Sequence, residues 1–383
     1  MARLGARLLL AWSIALLATC AAAVPVISDK AGARKPPSPP PAAHPAEPPS
    51  YGTRRDVRPF IDDMVAAGLN RRDVTRWLAA AKFQPKIIAA MQRPILEPPK
   101  WYEYSPQFLS DGRIAGGIAF WQAHESALAR AEREYGVPAH VIVAIIGVET
   151  YYGRHTGSYR VIDALTTLAF DYPRRASYFR NELREFLLLA RELGISPLEP
   201  KGSFAGAMGY PQFMPGSVRR YGVDFDGDGR IDLWTDGDDV IGSVAHYLAR
   251  HDWLRGQPVL LPAVISTDGR SAVLQKLDGG ISERRPLAAW TQDGVTAGAV
   301  PADLSPEPVG LLMLEERPGM SADDAGAASY WIACPNFYVI TRYNKSRLYA
   351  SAVWWLAEAI LNVREVQRSV VIGPPAATHN GPN

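Results

Sequence analysis

The amino-acid sequence predicts a mainly α protein of α+β class, a helical body interrupted by one strand-rich segment. Three observations support this. Apolar residues recur at helical spacing through most of residues 55–258. From 259 to 340 the pattern changes to short apolar runs, such as Val259-Leu-Leu and Val309-Gly-Leu-Leu-Met-Leu314, set between Gly and Asp turns; these read as strands. Helical spacing then returns over 341–365, most clearly from Leu348 to Val363, ahead of a tail at 366–383 expected to be flexible.

A chain of 383 residues can bury a large core and should form more than one domain or subdomain. Its 47% hydrophobic and 21% charged residues are those of an ordinary soluble globular protein. The formal charge of +2 resides in Arg3 and Arg7, and the rest of the chain is balanced, so nothing suggests a nucleic-acid partner. The ten Trp and 16 Tyr suit a large core, or faces that stack on sugar rings.

Residues 1–23 read as an export signal: a basic start, an apolar stretch from Leu8 to Ala18, and a small-residue cleavage site at Ala21-Ala22-Ala23. The apolar run is shorter than the roughly 20 residues a spanning helix needs. Leu17-Ala18-Thr19-Cys20 also resembles a lipobox, in which Cys20 would be lipidated and tether the chain to a membrane; Thr19 departs from the small residue usual before that Cys. Either route implies a periplasmic protein, outer-membrane-tethered in the second case. With Cys20 lost or lipidated, Cys334 has no partner for a disulfide and is expected to be a buried thiol. Residues 24–54 are rich in Pro and Ala, centred on Pro36-Pro37-Ser38-Pro39-Pro40-Pro41, and read as an extended linker.

In the body, Phe60, Met64, Trp77, Leu78 and Phe83 belong to helical patterns, with Asp73 near a helix start. Residues 116–135 read as helical, with apolar Ile118, Trp121, Ala127 and Leu128. Pro138 suits the first turn of the next helix and Gly153 its end. Within it Val141, Ile145, Val148 and Tyr152 recur at helical spacing, and Ile142, Ile145 and Ile146 share a face with Glu149. Glu149 is the one acid on a helix that otherwise reads as buried. Burial raises a carboxyl pKa, and a carboxylic acid neutral near pH 7 can protonate a leaving oxygen. A core glutamate satisfied by an Arg or a backbone amide explains the same pattern.

Three further stretches carry candidate chemistry. Gly202-Ser-Phe-Ala-Gly-Ala-Met-Gly-Tyr-Pro-Gln-Phe-Met-Pro215 combines glycines that allow close backbone approach with the polar Ser203 and Gln212. Asp224-Phe-Asp-Gly-Asp-Gly-Arg-Ile-Asp232 matches an EF-hand calcium loop, except that Thr235 stands where the closing Glu belongs; the alternative is an acidic surface turn. The closing acid must then be Asp236, Asp238 or Asp239. The third stretch is Thr341-Arg-Tyr-Asn-Lys-Ser-Arg-Leu-Tyr349, where Asn344 could simply cap a helix and Tyr343 and Tyr349 could be core.

In order along the chain stand Ile145-Ile-Gly-Val-Glu-Thr-Tyr-Tyr-Gly153, Phe170-Asp-Tyr-Pro-Arg-Arg175, Gly202-Ser-Phe-Ala-Gly-Ala-Met-Gly209, Gln212-Phe-Met-Pro215, the Asp224 loop, Ile241-Gly-Ser-Val-Ala245 and Arg342-Tyr-Asn344. Together they closely resemble the B family of bacterial lytic murein transglycosylases over roughly residues 55–365. The resemblance implies a lysozyme-like helical core with an EF-hand-like calcium site, an additional α subdomain and a small β-rich subdomain. It implies non-hydrolytic cleavage of the β-1,4 bond between N-acetylmuramic acid and N-acetylglucosamine, leaving a 1,6-anhydromuramoyl end, with Glu149 as acid and then base. By the same resemblance Ser203 and Asn344 lie near the reacting sugar; Gln212, Tyr104, Tyr247, Tyr343 and Tyr349 line the glycan groove; and Arg174 and Arg175 face the peptide stem. Asp224, Asp226, Asp228, the carbonyl of Arg230 and Asp239 would hold calcium, although the run Thr235-Asp-Gly-Asp-Asp-Val is one residue longer than the family's spacing. No organic cofactor is implied. Glycan strands are the expected partner of a monomer, with cell-wall synthesis or remodelling proteins as further candidates. A muramidase using water and a second acid such as Asp171, or a non-catalytic peptidoglycan-binding scaffold, are the competing readings.

Overall fold

The computed structural model describes residues 50–93, 98–317 and 328–371. The expected signal with Cys20, most of the linker, and the tail beyond 371 lie outside the described residues. Three short helices lead: α1 (Arg58–Ala66), α2 (Arg71–Ala80) and α3 (Pro85–Met91). Proline in the first turn starts α1 and α3, while the Asn70 side chain caps α2, accepting from Arg72 N at 2.8 Å and placing Asp73 in the first turn.

After the short α4 (Trp101–Tyr104), the expected helical stretch over 116–135 is two helices, α5 (Asp111–Ala123) and α6 (Glu125–Tyr135). They meet at His124, whose φ of −123° and ψ of 32° are not helical. A tertiary contact holds that break: the His124 ring nitrogen Nδ1 lies 2.9 Å from Asp238, 114 residues away. Gly136, at φ 73°, ends α6, and Pro138 introduces α7 (Ala139–Thr150). Residues 141–148 of α7 are all buried because α5, α6, α11 (Gly237–Ala249) and α15 (Arg347–Val371) pack around it. A helix apolar all round is what such a position requires.

The α7 helix stops at Thr150, short of Gly153. Tyr151 and Tyr152 both adopt left-handed backbone, with φ 54° and 60°. That conformation costs a non-glycine residue roughly 1–2 kcal/mol, so Tyr152 lies outside the helical stripe that its spacing suggests. Its ring folds back into space left by three glycines. A Cβ added at Gly116, Gly117 or Gly147 would lie 2.9, 2.6 or 2.6 Å from it.

The antiparallel pair β1 (Tyr159–Arg160) and β2 (Lys201–Gly202) brackets α8 (Val161–Asp171) and α9 (Ala176–Glu192), which pack on each other; α10 (Pro215–Tyr221) follows, packed on α9. The strand-rich segment is a six-stranded antiparallel sheet of β3 (Leu260–Ile265), β4 (Leu277–Asp278), β5 (Ile281–Ser282), β6 (Val295–Ala297), β7 (Gly310–Glu315) and β8 (Ala328–Ala333), in the order β4-β5-β7-β8-β3-β6. Two short helices, α12 (Arg270–Leu274) and α13 (Leu287–Gln292), lie within the segment; its own small core is built around Trp290 of α13, whose indole donates to Val309 O at 3.1 Å, and Cys334 is a buried free thiol. The sheet is pinned beside the helical body: Glu315 at the end of β7 accepts from Trp101 N of α4 at 3.2 Å and pairs with Arg347 of α15 at 2.7 Å.

Two boundaries differ from expectation. Helix resumes at Pro335, not 341, as α14 (Pro335–Tyr343), and α15 continues to Val371, past 365 into the expected tail. The early start follows from Asn336, fully buried, whose side chain accepts from Leu254 N and donates to the carbonyls of Leu254 and Gln257, each at 2.8 Å. Replacing Asn336 by Ala would strand three partly buried backbone groups, and about 3 kcal/mol of stability should be lost in urea unfolding; a loss under 1 kcal/mol would mean that this junction does not hold the two parts together.

Candidate active site

Glu149 is the next-to-last residue of α7. Its carboxyl sits deep in the molecule, yet the residue keeps some exposed surface. Tyr349, buried in the first turn of α15, donates its hydroxyl to Glu149 Oε1 at 2.5 Å. Burial raises the Glu149 pKa from 4.5 to about 7, and the hydrogen bond from Tyr349, which favours the carboxylate, opposes it. Among the described residues no second carboxylate contributes to that shift.

Three more tyrosines face the carboxyl. Burial first, and the Glu149 charge second, push Tyr104 up to about 12 and Tyr343 well above the ordinary phenol range. Burial also raises Tyr247, with Glu149 among the smaller contributors. All four phenols are therefore neutral donors at working pH. Tyr343 stacks beside Tyr349, ring centroids 6.5 Å apart and planes 14° apart, and donates to Pro211 O at 2.8 Å. Tyr247 donates to Arg342 O at 2.7 Å. Two of the expected groove tyrosines thus spend their hydroxyls inside the protein, fixing the loops that carry Gln212 and Asn344.

Those loops carry unspent polar atoms. Gln212, at φ 51°, donates its amide to Thr156 O at 3.1 Å and Gly209 O at 2.8 Å, leaving a buried Oε1 without a partner among the described residues. Asn344 ends α14 three residues before α15 begins, so it is not the N-cap of that helix; that position falls to Ser346, whose Oγ accepts from Tyr349 N at 3.3 Å. Asn344 Oδ1 is likewise buried and unpartnered. Ser203 Oγ accepts from Ala205 N at 3.3 Å and Ala207 N at 3.0 Å, which leaves its hydrogen to donate. The glycine loop is tied to the end of α7 by Thr150, whose hydroxyl donates to Tyr210 O at 3.0 Å. Gly209 is required there: at φ 66°, an added Cβ would lie 2.3 Å from Leu233 O.

Arg174 is exposed on the turn before α9, and Arg175 lies 4.4 Å from the Tyr178 ring centroid. No described contact joins either to Glu149. Asp171 is committed elsewhere, paired with Arg54 at 2.7 Å and accepting from the Tyr51 hydroxyl. The sequence reading missed Arg113, which donates to Gly147 O on α7; a lone arginine 36 residues upstream of Glu149 gives no local signal.

Away from Glu149, carboxylate oxygens of Asp224, Asp226 and Asp239 lie within 4.8 Å of one another, an arrangement that could hold a metal ion. Of the three late acids, Asp236 caps α11 and Asp238 meets His124, whereas Asp239 is buried and oriented by the amides of Phe225 at 2.6 Å and Asp232 at 2.7 Å. Burial raises its pKa, a cost that a bound cation would relieve. Asp228 stands outside this group, accepting from Arg230 N at 2.8 Å.

The family model for the transglycosylase SLT domain matches residues 52–358. Membrane-bound lytic murein transglycosylase B of Escherichia coli is 40% identical over 331 residues, 82% of this chain and 85% of that one. The chain belongs to the lytic murein transglycosylase B family. Among solved members, soluble lytic transglycosylase SltB1 from Pseudomonas aeruginosa superposes with a TM-score of 0.73 at 45% identity, covering 81% of this chain and 99% of that one. Escherichia coli lytic transglycosylase Slt35, solved in complex with calcium, gives 0.71 at 40% identity, covering 82% and 95%. The lysozyme-like helical core implied by the motifs is thus the fold of this lytic transglycosylase. Among the described residues no helix is long and apolar enough to cross a membrane.

Proposed function

We propose that this transglycosylase cleaves the β-1,4 bond between N-acetylmuramic acid and N-acetylglucosamine with Glu149 as its only proton-transfer group. The observation that carries this is an isolated, buried carboxyl held by Tyr349, with a near-neutral pKa to which no second carboxylate among the described residues contributes. Neutral Glu149 protonates the glycosidic oxygen as its bond to C1 breaks. The substrate's 2-acetamido oxygen stabilises the positive C1. Glu149, now a carboxylate, takes the proton from the C6 hydroxyl as O6 bonds to C1, closing the 1,6-anhydro ring and restoring the acid. No water is activated, so the usual second carboxylate is dispensable.

The Ser203 hydroxyl hydrogen and the unpartnered Gln212 Oε1 and Asn344 Oδ1 are suited to the acetamido C=O and N–H groups of the glycan. Tyr349 holds Glu149 and stabilises its ionised stage. Arg174 and Arg175 supply cations for stem-peptide carboxylates. Asp171 is a poor water-activating base while it is locked to Arg54 and Tyr51, which disfavours hydrolysis. Export, with or without a lipid on Cys20, would bring the enzyme to the periplasmic murein.

Purified murein sacculi treated with mature protein should release anhydromuropeptides, identified by mass, and Glu149→Gln should release none. Reducing-end products would make it a muramidase, and binding without release by either protein would leave a scaffold.

We further infer that Asp224, Asp226 and Asp239, joined by Asp228 and the Arg230 carbonyl, hold calcium as a structural ion; the convergence of three carboxylates supports this. A chelator should lower Tm by roughly 5 °C, restored by calcium, while product chemistry persists. An identical melting curve with and without chelator would remove the ion.

A further inference from the structure

We infer that Arg113 is a positioning residue for Glu149, acting through the strained turn that follows it. The inference rests on Glu149 as the reacting acid. Arg113 stands in the first turn of α5 and reaches across to the carbonyl end of α7, where its Nη1 donates to Gly147 O. That carbonyl already accepts from Tyr151 N at 3.1 Å. The guanidinium lies 4.7 Å from the Tyr151 ring centroid and 5.4 Å from that of Phe108. Arg113's own carbonyl accepts from the Tyr152 hydroxyl at 2.8 Å. One residue therefore grips both left-handed tyrosines and the carbonyl two positions before Glu149.

The physical consequence is mechanical: the turn is held against its backbone strain from outside α7, so the Glu149 side chain keeps one placement against Tyr349. Other groups near these residues do not duplicate that role. Tyr104, Tyr247, Tyr343 and Tyr349 face Glu149 as neutral phenols. Arg154, 4.9 Å from the Tyr151 ring, and His155 flank Tyr151.

The test is the rate of anhydro-product release from soluble glycan strands, measured from about pH 5 to 9 for wild type, Arg113→Met, Arg113→Lys and Tyr152→Phe. Protonated Glu149 starts the reaction, so activity falls as pH rises through its pKa. Arg113→Met should lower kcat about 10–100-fold with KM nearly unchanged. It should also move the alkaline limb upward by about half a pH unit, because a loosened Glu149 loses part of the Tyr349 hydrogen bond that favours its carboxylate. Arg113→Lys should keep the limb in place but recover only part of kcat, since an ammonium lacks the guanidinium fork. Tyr152→Phe should lower kcat several-fold without moving the limb.

An Arg113→Met enzyme with wild-type kcat per folded molecule and an unmoved limb would overturn the inference, whatever its Tm. Should that variant not fold, wild-type kcat in both Arg113→Lys and Tyr152→Phe would overturn it equally. Activity surviving in Glu149→Gln would instead overturn the reading of the acid itself, so the two failures are distinguishable.

Discussion

The structure depends on one expensive placement, a carboxyl held among apolar neighbours at the end of a buried helix. Residues 141–148 of α7 touch four other helices and offer Glu149 no cation. Burial keeps the acid neutral near pH 7, and the Tyr349 hydroxyl at 2.5 Å leaves the carboxylate accessible once the proton has moved. A pKa matched to the working pH lets one group give and then receive a proton. The same isolation explains how a glycosidic bond can be cut with a single carboxyl, because the nucleophile is the substrate's own C6 hydroxyl.

The surroundings serve that placement. Tyr343 and Tyr247 direct their hydroxyls to the carbonyls of Pro211 and Arg342, so they fix the segments carrying Gln212 and Asn344. Thr150 ties the end of α7 to the glycine loop, and Tyr151 and Tyr152 turn the chain away in backbone that only outside contacts can sustain. The sheet contributes at a distance: Glu315 joins α4, which bears Tyr104, to α15, which bears Tyr349.

Much of this was legible in the sequence because it is local. The apolar run around Glu149 announces a buried helix with one acid, and the acidic spacing from Asp224 announces a loop built for a cation. Of the three late acids the resemblance points to Asp239, and it is the one that turns inward. What the sequence concealed lies in long-range contacts. The break at His124 answers to Asp238, the early start of α14 to the backbone at Leu254 and Gln257, and the left-handed tyrosines to glycines on another helix. The resemblance puts Tyr247 in the glycan groove, but in the fold its hydroxyl turns to Arg342 O.

The most direct test of the single-glutamate chemistry is the titration of Glu149 itself, followed by infrared difference spectroscopy of wild type against Glu149→Gln across pH. The carboxylic-acid band assigned to Glu149 should persist to near neutrality and titrate with a midpoint of about 7. A midpoint at the ordinary 4.5 would contradict the mechanism, because the group would then be ionised when it is needed as an acid.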